Sequence, residues 1–331
     1  MEPVRWGILS TARIGRVRVV PGIQKSPLCT IAAVASRNGN AARQMAEEFG
    51  IARAYASYEE LLADPDVEVI YNPLPNHLHV PMTLAAARAG KHVLCEKPIA
   101  ITASEAEQLR EAPSGILIAE AFMVRHQPRW QRARDMIRGG DIGDLRMIQV
   151  AFSYFNADPQ NIRNKPDIGG GGLLDIGCYA VVAGRYFFDA EPLRVISLIE
   201  RDPAFDVDRT ASAIMDFGQG RQLTFSVSTQ AVPFQRVNVL GTRGRIEIEL
   251  PFNAPSDHPT HILVDIPGSG GNSVRTVECP ASDQYQLQAE AFGRAVRGLE
   301  APAYGIDDAC QNMRILDALR RSETSNAWET V

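Results

Sequence analysis

Residues 7–15 read Gly7-Ile8-Leu9-Ser10-Thr11-Ala12-Arg13-Ile14-Gly15, or GILSTARIG, and the fold turns on how that stretch is read. The apolar run that ends at Leu9 is short and strand-like, and a helical pattern opens near Arg13. A strand that enters a helix through a tight turn can cradle a pyrophosphate if small residues stand at three places. These are the turn itself, the closest approach to phosphate, and the helix–strand packing contact. Ser10, Ala12 and Gly15 hold those places here. Two of the usual glycines are replaced, but every replacement is small. The backbone from Ser10 through Thr11, Ala12, Arg13 and Ile14 can therefore still approach a phosphate. The first N–H groups of the helix and its positive dipole end would bind it. Taken alone, the stretch serves equally well as a strand–turn–helix without a ligand.

Moving outward, the first 120 residues alternate short apolar runs with helical patterns. WGILS (6–10), CTIAAVAS (29–36), VEVIYNP (67–73), KHVLCEKP (91–98) and GILIAEA (115–121) read as strands bounded by turn residues. AARQMAEEFG (41–50), SYEELLADP (57–65), HVPMTLAAARAG (79–90) and TASEAEQLREA (102–112) read as helices, with Ser57 and Thr102 as N-caps and Gly50 and Gly90 as stops. Strict alternation implies right-handed crossovers and a doubly wound parallel sheet of the Rossmann kind, covered on both faces. After residue 121 the pattern changes. A helix at 128–140 and a strand at 146–156 lead through the polar segment ADPQNIRNKPDIGGGG (157–172) to a helix at 173–188. Closely spaced strand-like runs then follow from Leu193 to about Glu278, joined by turns such as FGQGRQ and GTRGR, and two helices close the chain. The expected architecture is α/β: a nucleotide-binding domain over 1–121, then an α+β domain over 122–331 with a large, mainly antiparallel open sheet.

The second strand runs out through Val34, Ala35, Ser36, Arg37 and Asn38. An NAD-binding fold presents a carboxylate near this point to the ribose diol. Here a hydroxyl and a guanidinium stand instead, suited to the 2′-phosphate of NADP, so NADP rather than NAD is expected. The alternative is that Arg37 is a solvated surface charge. At the end of KHVLCEKP, Glu96, Lys97 and Pro98 lie at the carboxyl edge of the sheet, where open α/β sheets bind ligands, though an isolated lysine in such a loop is most often a surface charge. In GGGGLLDIGCY (169–179), Asp175 and Tyr179 are four apart and share a helix face, and glycines 169–172 would let the backbone approach a ring or substrate. Periodicity does not choose between a substrate-lining Tyr179 and a core aromatic.

Together GILSTARIG, YNPLPNHLH (71–79), AGKHVLCEKP (89–98), EAFMVRHQP (120–128) and GGGGLLDIGCY resemble, in order and spacing, the glucose–fructose oxidoreductase/inositol dehydrogenase family, also called Gfo/Idh/MocA. The resemblance spans essentially the whole chain, and within the family it leans toward the NADP-dependent aldose dehydrogenases and the dihydrodiol dehydrogenases. It implies that Lys97 is catalytic, that the peptide before Pro98 is cis, and that Asp175 and Tyr179 line the substrate site. Many members carry histidine at the latter position; tyrosine is what the aldose and dihydrodiol branches use. It further implies that Asn72, Leu74, Pro75, His77 and Glu96 border the cofactor, and that Glu120 and Arg125 approach nicotinamide or substrate, a structural ion pair being the competing reading for these two. Tyr154, Asn156 and Arg163 flank the polar loop and are candidate substrate contacts. Tyr285 either reaches the site from the penultimate helix or belongs to the core. A homodimer or homotetramer built on the large sheet is also implied.

A hydroxyl substrate must lose a proton as its carbon gives up hydride. A phenol with its ordinary pKa of about 10 is a poor base at neutral pH, and a nearby lysine cation favours the phenolate. Tyr179 is thus expected to carry the proton, with Lys97 tuning it and Asp175 holding the substrate or Lys97. The expected activity is oxidation of an aldose at its anomeric carbon. A trans-dihydrodiol dehydrogenase or keto-sugar reductase is the alternative, a non-catalytic NADP sensor or co-repressor is a rival of another class, and an NAD-retaining glycosidase is a third. A net charge of -5 argues against nucleic acid, and no apolar run is long enough to span a bilayer. Five dispersed cysteines without a CxxC pair, and a strand from the outset with no signal-peptide pattern, read as reduced thiols in a cytoplasmic protein. The close pair His77 and His79 has no carboxylate or cysteine at ligand spacing, so no metal is expected.

Overall fold

Short apolar runs punctuated by capped helices give, in the first part of the chain, the strands β1 (Val4–Leu9), β2 (Cys29–Ala35), β3 (Arg53–Tyr55), β4 (Val69–Asn72), β5 (His92–Cys95) and β6 (Ile118–Glu120). The computed structural model describes residues 2–266 and 274–331. All five strand pairings in this sheet are parallel, in the order β3-β2-β1-β4-β5-β6. The order reverses beside β1, so the carboxyl ends of β1 and β4 frame the crevice where such sheets take ligands. GILSTARIG leads directly out of that crevice.

The helix that follows β1 begins at Arg13, makes a π turn at Gly15–Val19 and continues as α1 (Val20–Lys25). Pro21 supplies the cause. It lacks an N–H and its ring crowds the carbonyl a turn before it, and a widened turn relieves both. Helices α2 (Gly39–Phe49), α3 (Tyr58–Ala63), α4 (His79–Arg88) and α5 (Ala103–Glu107) follow. The expected caps are in place: Ser57 accepts from the Glu60 N–H, Thr102 accepts from the Glu105 N–H, and Gly50 ends α2 in the left-handed region.

The chain forms two units: residues up to Met123 with Asp283–Gln311, and Val124–Ser282 with Asn312–Val331. The first crossing lies two residues beyond the expected boundary at 121, but the chain then returns to the first unit. Helix α6 (Pro128–Arg138) and helix α7 (Cys178–Phe188) belong to the second unit, whereas α8 (Gln284–Val296) brings Ala289 and Phe292 into the first unit's core. There the Phe292 ring meets buried Trp6 at 5.9 Å. Helices α1 and α8 approach so closely at Gly22 that a Cβ there would lie 2.9 Å from the Gln286 nitrogen.

The second unit is built on a sheet that, among the described residues, has the order β14-β13-β12-β11-β7-β10-β9-β8-β15. Its strands are β7 (Leu145–Phe155), β8 (Arg194–Arg201), β9 (Asp208–Asp216), β10 (Gln222–Ser228), β11 (Gln230–Gly241), β12 (Arg245–Glu249), β13 (Thr260–Asp265), β14 (Val274–Cys279) and β15 (Glu329–Thr330). Every neighbouring pair is antiparallel except β7 and β10. Alternation buries one face, with Leu223, Phe225, Val227, Val237 and Val239 inward. On the other face Thr224, Gln149, Asn238 and Glu247 fall in one row across β10, β7, β11 and β12. No helix among the described residues is long and apolar enough to cross a membrane.

Candidate active site

In the first unit the turn after β1 is held by its own backbone and side chain. The Ser10 N–H donates to the Ala35 carbonyl at 2.7 Å, and its Oγ accepts from the Ala12 N–H at 3.2 Å. Ser10 adopts φ = +72°, a left-handed conformation that a glycine would take without cost. A serine therefore does the turn-forming work of the missing glycine. Arg13 then opens the helix and is exposed, while Ile14 packs on the core. At the end of β2, Ser36 is buried and its Oγ accepts from the Asn38 N–H at 3.1 Å. Asn38 caps α2 by accepting from the Asn40 and Ala41 N–H groups. Arg37 is exposed between them, its guanidinium near the Tyr58 phenol. A helix start, a compact turn and a β2 end without a carboxylate form a donor set that fits a dinucleotide carrying an extra phosphate.

The loops after β4 and β5 are tied together beneath this edge. Asn72 is fully buried, and its amide donates to the His79 carbonyl at 3.1 Å and to Thr83 Oγ1 at 3.2 Å, while its Oδ1 accepts from the Leu74 N–H at 3.3 Å. The Asn72 side chain thus shapes the loop that carries buried Leu74, half-buried Pro75 and exposed His77. His79 was visible in the sequence only as a neighbour of His77. Its ring nitrogens lie 2.7 Å from the Pro98 carbonyl and 2.6 Å from the Leu74 carbonyl, and the one N–H of the neutral ring donates to one of them while the ring packs between the two loops. Burial lowers its pKa to about 4. The Lys97–Pro98 bond is cis, as the resemblance implies. Glu96 accepts from the Tyr71 hydroxyl at 2.7 Å and from the Lys97 N–H at 3.3 Å. Burial first, and the Glu96 charge second, push the Tyr71 phenol well up; the same two causes raise that of Tyr285 on α8. Glu120, also buried, accepts from the Ile99 N–H at 2.8 Å and steadies the far side of the proline turn. Tyr71 carried no sequence signal beyond a strand aromatic.

In the second unit, Asp175 lies in a π turn, Leu173–Gly177, that leads into α7 and Tyr179. The Tyr154 hydroxyl donates to Asp175 Oδ2, and the Arg163 guanidinium approaches the same oxygen at 2.9 Å. Burial, then the Asp175 charge, raise the Tyr154 phenol; the Asp175 charge raises Arg163 against the burial that opposes it, and the Tyr179 phenol adds to that effect. Three expected site residues are therefore one cluster. Tyr179 is 6% exposed, with its ring 5.8 Å from Phe152 and 5.1 Å from Phe252. Asn156 faces its own loop, accepting from the Asp158 N–H at 3.1 Å and the Asn164 amide at 3.4 Å. Arg125, expected beside the cofactor, is a buried residue of the second unit. The space beside glycines 170–172 is filled by the protein itself, because a Cβ on Gly170 would lie 2.6 Å from the Arg163 carbonyl and one on Gly171 2.0 Å from Asp208 Oδ1. These glycines make room for chain, with Asp208 as a neighbour that sequence spacing does not reveal.

Comparison with known proteins gives concordant matches. Residues 4–114 match an oxidoreductase family with an NAD-binding Rossmann fold, and residues 130–247 match the GFO/IDH/MocA C-terminal domain. An uncharacterized oxidoreductase of Rhizobium meliloti is 42% identical over the whole of both chains. A D-xylose 1-dehydrogenase (NADP(+)) of Haloferax volcanii is 35% identical over 97% of this chain and 98% of its own. The crystal structure of a 3-ketoreductase from Actinomadura kijaniata, in complex with NADP and TDP-benzene, superposes with a TM-score of 0.89 at 31% identity, covering 97% of this chain and 98% of that one.

Proposed function

Since the chain belongs to the GFO/IDH/MocA family of oxidoreductases, we propose that it is an NADP-dependent aldose 1-dehydrogenase, oxidising a sugar at its anomeric hydroxyl to a lactone. The observation that carries this reading is the polar set on the approach to α7: a carboxylate held by a phenol and a guanidinium, with a second phenol one helical turn on. Such a group suits a ligand dense in hydroxyls, with Asp175 accepting from them. The relation to the xylose dehydrogenase supports it.

NADP would be held by the turn from Ser10 to Ile14, by Ser36 and Arg37, by the loop of Asn72, Leu74, Pro75 and His77, and by Glu96. Bound there, NADP would supply the hydride acceptor for oxidation and the hydride donor for reduction. Tyr179 takes the hydroxyl proton of the substrate during oxidation and returns it to the carbonyl oxygen during reduction. A cation near this phenol favours the phenolate, and Lys97 is the group we assign to supply it. Lys97 also orients the substrate oxygen, while Tyr154 and Arg163 hold the Asp175 carboxylate in place.

A keto-sugar reductase is the second reading, favoured by the likeness to the 3-ketoreductase. Both are tested by offering D-xylose, D-glucose, D-galactose and a trans-dihydrodiol with NADP or NAD, and a keto-sugar nucleotide with NADPH, while following the absorbance of the reduced nicotinamide. Turnover of an aldose with NADP is the expected result; reduction of the keto-sugar alone would replace the first reading with the second. Tyr179→Phe should lower kcat by roughly 100-fold or more, general acid–base groups being worth about that much. We further propose a homo-oligomer built on the exposed sheet face around Gln149, Thr224, Asn238 and Arg236, where a cavity of about 560 Å³ opens. Light scattering should report a dimer or tetramer, and Ala151→Arg on the same face should return it to monomers.

A further inference from the structure

Resting on the reading of Tyr179 as proton carrier, we propose that Asp208, the first residue of β9, is a positioning residue that sets the turn bearing Asp175 and Tyr179. Asp208 is 8% exposed, and no step of the reaction above uses it. Its Oδ2 accepts from the Leu173 N–H, the first residue of the π turn. From there two backbone bonds reach the reacting residues: the Asp175 N–H donates to the Gly171 carbonyl at 3.1 Å, and the Cys178 N–H donates to the Leu173 carbonyl. The carboxylate is thus bonded to the strand of backbone from which both Asp175 and Tyr179 are hung.

The contact is also steric. Gly171 adopts φ = +117°, open to glycine and little else, and a Cβ on it would lie 2.0 Å from Asp208 Oδ1. On Gly172 a Cβ would meet the Asp208 carbonyl oxygen at 3.4 Å. Backbone and carboxylate can adopt this arrangement only with glycine at position 171, so Gly171 and Asp208 form one device. A buried carboxylate is a costly way to satisfy one N–H, and that cost points to a use beyond packing. The charged and titratable groups that face it are Arg201 from β8, Arg320 from α9 (Ile306–Ser325) and Tyr154 from β7. Arg201 is shared with Glu323 at 2.9 Å, which leaves burial dominant and pushes the Asp208 carboxyl up to about 6.

The test compares Asp208→Asn, Gly171→Ala and Tyr179→Phe in the full-length protein. NADP affinity is read by quenching of intrinsic fluorescence, turnover with D-xylose as a function of pH, and amide hydrogen exchange over residues 171–179 without cofactor. Asp208→Asn should lose protection at Leu173 and Asp175, lower kcat by about tenfold or more, as small misplacements of reacting groups do, and leave NADP affinity within about twofold, the same scale as ordinary context variation. An acid limb with a midpoint near pH 6 should be present in the parent and absent from the variant. Gly171→Ala should reproduce the exchange and kcat effects, and it answers the question should Asp208→Asn not fold. Unchanged exchange and an unchanged pH profile in Asp208→Asn overturn the proposal, as does a loss of NADP affinity equal to the loss of kcat. If Tyr179→Phe abolishes turnover while Asp208→Asn behaves as the parent, only the positioning role falls; if Tyr179→Phe turns over normally, the reading beneath it falls.

Discussion

Ser10 holds a left-handed backbone that costs a side chain roughly 1–3 kcal/mol, part of it offset by the bond from the Ala12 N–H to its hydroxyl. Ser10→Gly should therefore keep stability within about 1 kcal/mol and keep NADP binding, because glycine's freedom is offset by its unfolded-state entropy. Ser10→Val, branched at a position that tolerates no branching, should lower stability by about 2 kcal/mol and abolish binding, both read by melts with and without NADP. At the end of β2, Arg37→Asp should raise the KM for NADP by on the order of 30- to 100-fold, the worth of one charge-assisted pair, and shift the preference toward NAD. At this scale the sequence offers candidates where residue type alone suggests chemistry, as at Arg37, Lys97 and Asp175. It was silent where a role is made by distance. His79 packs between two carbonyls from separate loops, and Asp208 reaches a turn 35 residues before it; neither leaves a spacing pattern.

Among elements, the alternation of runs and caps was sufficient for the parallel sheet, because each strand and helix there is local and the crossover rule leaves few topologies. The same reading did not foresee the π turns, since Pro21 announces a defect but not its form. Nor did it foresee α8 in the first unit, as the contact that takes it there joins Gly22 to Gln286. Gly22→Ala should therefore destabilise the first unit by about 1–3 kcal/mol through overpacking, seen as a lower urea midpoint. In the second unit antiparallel pairing was legible from short turns, but the parallel placement of β7 against β10 was not, because 75 residues separate the paired positions.

For the whole molecule, acid should act on the two units in opposite directions. His79 in the first unit has its pKa lowered from 6.5 to about 4, so the folded form binds fewer protons than the unfolded chain in that window. Stability there falls as pH drops from 6.5 toward 4, by about 3 kcal/mol in all. Asp208 in the second unit has its pKa raised from 3.8 to about 6, so folding takes up a proton and stability rises as pH falls through 6, by a comparable amount of about 3 kcal/mol. Calorimetry at pH 5 should then show the first unit's transition lowered and the second unit's raised relative to pH 7.5, and His79→Gln should remove the acid sensitivity of the first. A single merged transition at both values would count against this.

All five cysteines are buried, three of them (Cys29, Cys95, Cys310) in the first unit and two (Cys178, Cys279) in the second. The molecule therefore numbers its own halves for mass spectrometry. Brief exposure to a methanethiosulfonate reagent during mild acidification should add three labels if the nucleotide-binding half opens first, and two if its companion does, with no engineered probe required.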